Sequence, residues 1–270
     1  MPGFRHRGID FSFLDRGDGA PFVFQHGLGG DRSQPADLYR SAGRLVCLEC
    51  RGHGDTTPLG PVAELGFQTF ADDLLALVDD LGLASFVVGG VSMGAGVALR
   101  FAADHPDRVR GLVLVRPAWL HRPSPPNLRL MPRVAELLHD HGPREGRERF
   151  RASAEYAAML RASPATAESL LGQFDRPHAR EHAEVLRRLP ADCPLGTAPD
   201  WQRLDMPALV IGTAHDPAHP LDFATAIADA LPHAEHREVT ARTVDGAAHR
   251  REVGALIDAF MAGLERPPHR

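Results

Sequence analysis

The sequence predicts an α/β protein: a mostly parallel central sheet flanked by helices, with a helical cap inserted late in the chain. Three observations predict it. Strand and helix patterns alternate from about residue 20 to 116 and resume at Pro207. The stretch between is helical in pattern, with no strand run. Gly90-Val91-Ser92-Met93-Gly94 joins an apolar run to a helical pattern, the context of a sharp turn that presents its serine.

The elements follow in order. Residues 4–16 pattern as an antiparallel edge pair, and Pro21–Gln25 and Leu45–Glu49 are apolar runs of strand length. Phe67–Leu83 has helical spacing, with Leu74, Leu75, Leu77, Val78 and Leu81 on one face. Ser85–Gly90 is the next strand, Ser92–Asp104 a helix stopped by His105-Pro106, and Arg110–Val115 a further strand. The alternation breaks at Arg116-Pro117. Pro123-Ser124-Pro125-Pro126 reads as a linker, followed by helical segments near 132–141, 145–162, 165–174 and 178–189. Pro207–Gly212 restores the strand pattern, followed by a helix near 221–231, a short strand near 235–239 and a final helix from about 249 to 264. The expected division is a core of residues 1–116 and 205–270 and a cap, or lid, of residues 117–204. That cap carries a small excess of arginine over acidic residues, and the core a deficit.

Composition narrows the function. At 270 residues the chain suits one domain with an insertion, and its 43% apolar and 24% charged residues are ordinary for a globular protein. A net charge of −5 supplies no basic field for nucleic acid. All 30 basic residues are arginine, which excludes a Schiff-base lysine and a Walker A loop. The N-terminal residues lack the apolar core of a signal peptide, and no apolar run approaches membrane-spanning length. The expectation is a cytoplasmic protein with no membrane or nucleic-acid partner; the oligomeric state is open. Cys47 and Cys50 lie three apart on or beside a strand, so they point to opposite faces and are expected to stay reduced.

A serine hydroxyl becomes nucleophilic when a base takes its proton, and a histidine oriented by a carboxylate is suited to that task. Ser92 is the candidate nucleophile. Asp216, just past the strand ending at Gly212, is the candidate acid, and His249, opening the last helix, the candidate base. Asp245 is the rival acid, four positions before His249 in the same loop and badly placed to reach its ring. His215, His219, His233 and His236 are rival bases, and His26 reads as a brace for its own loop. His215, Asp216 and His219 sit in a proline-containing loop rather than at helical spacing, so no metal site is expected. The oxyanion needs two donors; the expected ones are the backbone N–H groups of Met93 and Leu28.

These motifs together resemble the α/β-hydrolase superfamily, in its cap-bearing small-molecule serine hydrolases. The resemblance runs over nearly the whole chain and is carried by His26-Gly27-Leu28-Gly29-Gly30, Arg51-Gly52-His53-Gly54, Gly90-Val91-Ser92-Met93-Gly94, Asp216 with His219-Pro220, and His249. It is similar to enol-lactonases, carboxylesterases and cofactor-free perhydrolases. Val91, Ala95 and Glu49 depart from the residues frequent at those positions. The resemblance implies the α/β-hydrolase fold, the chain order serine, acid, histidine, and no cofactor or metal. The implied activity is of the carboxylic ester hydrolase class: cleavage of a small ester, lactone or thioester through an acyl-enzyme. Carbon–carbon bond hydrolysis, a biosynthetic cyclisation and non-catalytic ligand binding are the alternatives. Trp119, Leu120, Met131, Met159, Leu160 and Phe174 are the cap residues expected to meet the small-molecule acyl substrate, or else to pack the cap helices together.

Overall fold

A computed structural model describes residues 3–196 and 198–265. Eight strands form one sheet: β1 (Gly3–His6), β2 (Ile9–Arg16), β3 (Asp18–Gln25), β4 (Gly43–Leu48), β5 (Phe86–Val91), β6 (Val109–Val115), β7 (Ala208–Gly212) and β8 (Ala234–Glu238). Their order is β1-β2-β4-β3-β5-β6-β7-β8. The β1/β2 and β2/β4 pairs are antiparallel, and every pair from β4 to β8 is parallel. The expected antiparallel edge pair at residues 4–16 is β1 and β2.

The central strands read as unbroken apolar runs because both their faces are covered. Successive side chains alternate between two layers. Val23, Val46, Val88, Leu112 and Val210 join a cluster with α2 (Phe67–Asp80) and α3 (Met93–Asp104). Phe22, Phe24, Val87, Val113 and Ile211 face the other way. There they meet Leu38 at the end of a short helix α1 (Ser33–Leu38), and Val253 and Ile257 of the last helix.

Between β6 and β7 the described residues carry helices and no strand: α4 (Leu130–Arg151), α5 (Ala154–Ala162), α6 (Pro164–Gly172), α7 (Ala183–Arg188) and α8 (Ala198–Gln202). They gather a separate apolar cluster that includes Val134, Leu138, Phe150, Leu171 and Leu186. α4 breaks at Gly142, whose φ is 72°, just before Pro143. The helix expected over 145–162 is two helices, because the Ser153 hydroxyl accepts the Tyr156 N–H and opens α5. After β7 come α9 (Leu221–Ala230) and α10 (Gly246–Glu265); α10 starts three residues before the expected point, which puts His249 in its first turn. Cys47 and Cys50 are buried and free. Among the described residues no helix is long and apolar enough to cross a membrane.

Candidate active site

β5 delivers Ser92 to the carboxyl end of the sheet in a strained conformation, φ 56° and ψ −109°. The turn closes because its flanking glycines have no side chain. A Cβ on Gly90 would fall within 3.0 Å of the Gly94 backbone, and one on Gly94 would meet the Gln25 and His26 carbonyls. The Ser92 N–H donates to the Val115 carbonyl at 3.0 Å, and the Ser92 carbonyl accepts from Ala95 and Gly96 at the start of α3. The hydroxyl makes no capping bond to that helix, so it is not a structural cap.

The loop after β3 lies alongside. A Cβ on Gly27 would stand 3.4 Å from the Ser92 Cβ. The Gln34 side chain accepts the Gly27 N–H at 2.7 Å. His26 is committed at both ring nitrogens: Nδ1–H donates to the Gly27 carbonyl at 2.9 Å, and Nε2 accepts the Cys50 N–H at 3.1 Å. It braces the loop and has no nitrogen left for proton transfer. Among the described residues no turn, loop or cap carbonyl takes the N–H of Leu28 or Met93.

Asp216 follows β7 and is buried. Its Oδ1 accepts the Ala218 N–H at 3.1 Å. Its Oδ2 takes His219 Nδ1–H at 2.9 Å and Arg116 Nη1–H at 3.2 Å. Burial works against its charge, but His219, Arg116 and the Ala218 N–H outweigh burial and hold the carboxyl well below the usual range. Burial pulls the His219 imidazole below its ordinary pKa, against the opposing effect of Asp216. His219 is therefore neutral at pH 7, with Nε2 unprotonated.

His249 has a different partner. Its Nδ1–H donates to the Thr240 carbonyl at 2.9 Å, and Nε2 is buried without a partner. Burial and the Arg116 cation push its pKa down to about 4. The structure does not join His249 to Asp216 by a hydrogen bond. Asp245, the rival acid, is a helix cap: its Oδ1 accepts the Ala247 and Ala248 N–H groups, both at 2.9 Å. His233 pairs with Asp205 on the surface.

A cavity opens over Ser92. Leu28, Gln34, Arg116, Asp216, His219 and Arg242 line it, together with Leu128, Leu130, Met131, Met159, Thr166, Ser169 and Leu170. Asn127 ties the two sides by donating to the Ala118 and Ala218 carbonyls at 3.1 and 2.7 Å. Of the six cap residues named from the sequence, Met131 and Met159 reach this cavity. The other four do not line it. Trp119 packs edge-on against Phe67, 5.1 Å between centroids, and Leu120 packs against the same core cluster. Phe174 lies 5.8 Å from the Phe150 ring, and Leu160 is 43% exposed on the outer surface. The sequence reading missed Arg116 and Arg242 as lining residues, and weighed His219 only as a rival base and metal ligand. The available signal for Arg116 was its place at the end of a central strand, where the alternation breaks. Among the described residues no cluster of three or more His, Cys, Asp or Glu side chains is arranged to hold a metal.

The chain is 36% identical over 113 residues to a non-heme chloroperoxidase of Kitasatospora aureofaciens, a match that covers 40% of each chain. Other curated relatives, including a diacylglycerol lipase of Danio rerio and a proline iminopeptidase of Neisseria meningitidis, are matched over 33% and 35% of their own length. Among solved structures, a thermophilic esterase from Thermogutta terrifontis superposes with a TM-score of 0.74 at 25% identity, covering 98% of this chain and 97% of that one. A family model described as the alpha/beta hydrolase fold matches residues 20–245, and the chain belongs to that family.

Proposed function

We propose that the chain is a serine hydrolase that cleaves a small carboxylic ester, lactone or thioester through an acyl-enzyme on Ser92. The observation that carries this reading is the elbow itself. Ser92 is held at φ 56° at the head of α3, its hydroxyl free of any capping role, in a cavity that Asp216 and His219 also line. The similarity to the Thermogutta esterase points the same way.

In this mechanism Ser92 Oγ attacks the substrate carbonyl carbon as its proton passes to an imidazole nitrogen. The carbonyl oxygen becomes an oxyanion that receives the Leu28 and Met93 N–H groups. The imidazolium returns its proton to the departing alkoxide or thiolate, leaving the acyl-enzyme. Water then attacks that ester, giving its proton to the same imidazole. Collapse releases the carboxylic acid and restores Ser92. Residues 117–204 act as the cap over a core of residues 1–116 and 205–270, with Met131 and Met159 against the acyl chain.

Two histidines compete for the base. The Asp216–His219 hydrogen bond favours His219: a carboxylate on Nδ1–H fixes the tautomer that leaves Nε2 ready to accept a proton. His249 is the second reading, supported by chain order and by an Nε2 without a partner. The Thr240 carbonyl on Nδ1–H already leaves its Nε2 unprotonated, and only pairing with Asp216 needs the ring to move.

A fluorophosphonate probe tests the reading. Wild-type protein is expected to carry the label on Ser92, and Ser92→Ala to carry none. Folded wild-type protein that stays unlabelled overturns the proposal.

A further inference from the structure

The cavity beside Ser92 holds more positive charge than its own carboxylate balances. Arg116 enters from the end of β6 at φ 46° and is only 5% exposed. Its backbone N–H is fixed on the Ile211 carbonyl at 2.7 Å. A guanidinium has five N–H donors. The Arg116 guanidinium has one protein acceptor among the described residues, Asp216 Oδ2, and its Nε is buried with none. That oxygen is shared with His219. Arg242 lines the same cavity from the loop after β8, and none of the ion pairs among the described residues uses it. Asp216 is the only acidic residue among those lining the cavity. Burial lowers the Arg116 pKa, Asp216 opposes that shift, and the Arg242 cation adds to it.

The buried Arg116 guanidinium with an unused Nε–H, and the exposed Arg242 guanidinium at the rim, suit a planar oxoanion, which takes parallel N–H···O bonds. Leu130, Met131, Met159 and Leu170 give the same cavity apolar lining, interrupted on α6 by Thr166 and Ser169. We propose that Arg116 and Arg242 form an anion subsite next to Ser92, and that the acyl substrate is a short aliphatic chain ending in a carboxylate. The ester, lactone or thioester carbonyl sits at Ser92, the chain lies against the methionine and leucine wall, and the carboxylate is held between the two arginines. This inference rests on the reading of Ser92 as the acyl acceptor.

The test compares monomethyl glutarate with methyl pentanoate, which differ in the terminal charge, by pH-stat hydrolysis. The expected wild-type kcat/KM is at least about tenfold higher for the half-ester, the scale of one charge-assisted hydrogen bond. Arg242→Gln lies at an exposed position that folding tolerates, and it should shrink the ratio between the two substrates several-fold. Arg116→Gln should shrink it further, and added salt should shrink it in the wild type. A wild-type ratio near one overturns the subsite, while turnover of both esters leaves the serine hydrolase reading standing. Binding supplies a readout independent of turnover. Glutarate should raise the melting temperature of the wild type, glutaramide should not, and Arg242→Gln should lose most of the glutarate shift. Equal shifts for the two compounds overturn the subsite even in a protein that labels on Ser92. A glutarate-specific shift in a protein that neither labels nor hydrolyses sustains the subsite and sinks the hydrolase reading alone.

Discussion

Asp216 Oδ2 accepts the Nδ1–H of His219 at 2.9 Å, although the two residues stand only three positions apart in one loop. The turn that makes this possible is set by the His219 N–H donating to the Asp216 carbonyl at 3.0 Å, across Pro217. The result is an oriented, neutral imidazole inside the cavity of Ser92. If His219 is the base, His219→Ala lowers kcat by about a thousandfold or more, as loss of a triad member does, and also costs stability through the lost Asp216 bond. His249→Ala then costs stability through the lost Thr240 bond and the space left by a buried ring, with a smaller effect on kcat. Steady-state kinetics on the two variants, with thermal melts to confirm folding, separate the roles; the reverse kcat ranking assigns the base to His249.

The acid limb of the rate profile carries the same information. The base must be unprotonated, and burial holds both candidate imidazoles below the ordinary value of 6.5. The acid midpoint of activity is therefore expected below 6.5. A limb near 4 fits His249, whose pKa is lowered to about 4. A kcat/KM profile with its acid midpoint at 7 or above contradicts both assignments.

Stability should respond to acid as well. His26, His53, His182 and His249 are buried, and burial lowers the pKa of each, with His182 and His249 lowered to about 4. The unfolded chain takes up protons on these side chains near pH 6.5, where the folded protein does not. Their burdens are absent above that pH, grow as pH falls below it, and level off below the folded values. For each group the slope reaches about 1.4 kcal/mol per pH unit. Denaturant melts at pH 7, 6 and 5 should show falling stability; an unchanged midpoint from 7 to 5 contradicts this.

The elbow makes a separate prediction about packing. Gly90→Ala and Gly94→Ala force a methyl group into the backbone of the turn. Each is expected to destabilise the protein by about 1–3 kcal/mol or more, with loss of activity, because backbone cannot step aside as a side chain can. Gly263→Ala, where the added Cβ meets nothing within 4 Å and the backbone is not left-handed, is the control. Equal melting temperatures for the elbow variants and that control would refute the argument.

How far the sequence reached is clearest from particular residues. The central strands were legible because burial on both faces writes them as runs such as Phe86–Val91, and the elbow because its glycines are a local steric need. Helices α1 and α8 were missed; both are short, and Pro35 sits inside α1. Cap residues divided as they did for a plain reason. Helical periodicity marks Met159 and Phe174 alike as apolar, but only packing decides that one faces a cavity and the other the Phe150 ring. The Arg116–Asp216 contact spans 100 positions and no local pattern encodes it. His219 was visible beside Asp216, yet its ring orientation depends on the turn at Pro217, which spacing alone does not fix.

The most direct measurement is the covalent intermediate. Wild-type protein is mixed with a p-nitrophenyl ester, quenched in acid within the first turnover, digested and mapped by mass spectrometry. The predicted result is an acyl group on the peptide containing Ser92, matched by a stoichiometric burst of p-nitrophenol, with both absent in Ser92→Ala. Turnover of the ester without a burst, or an acyl group found on a different residue, would contradict the account.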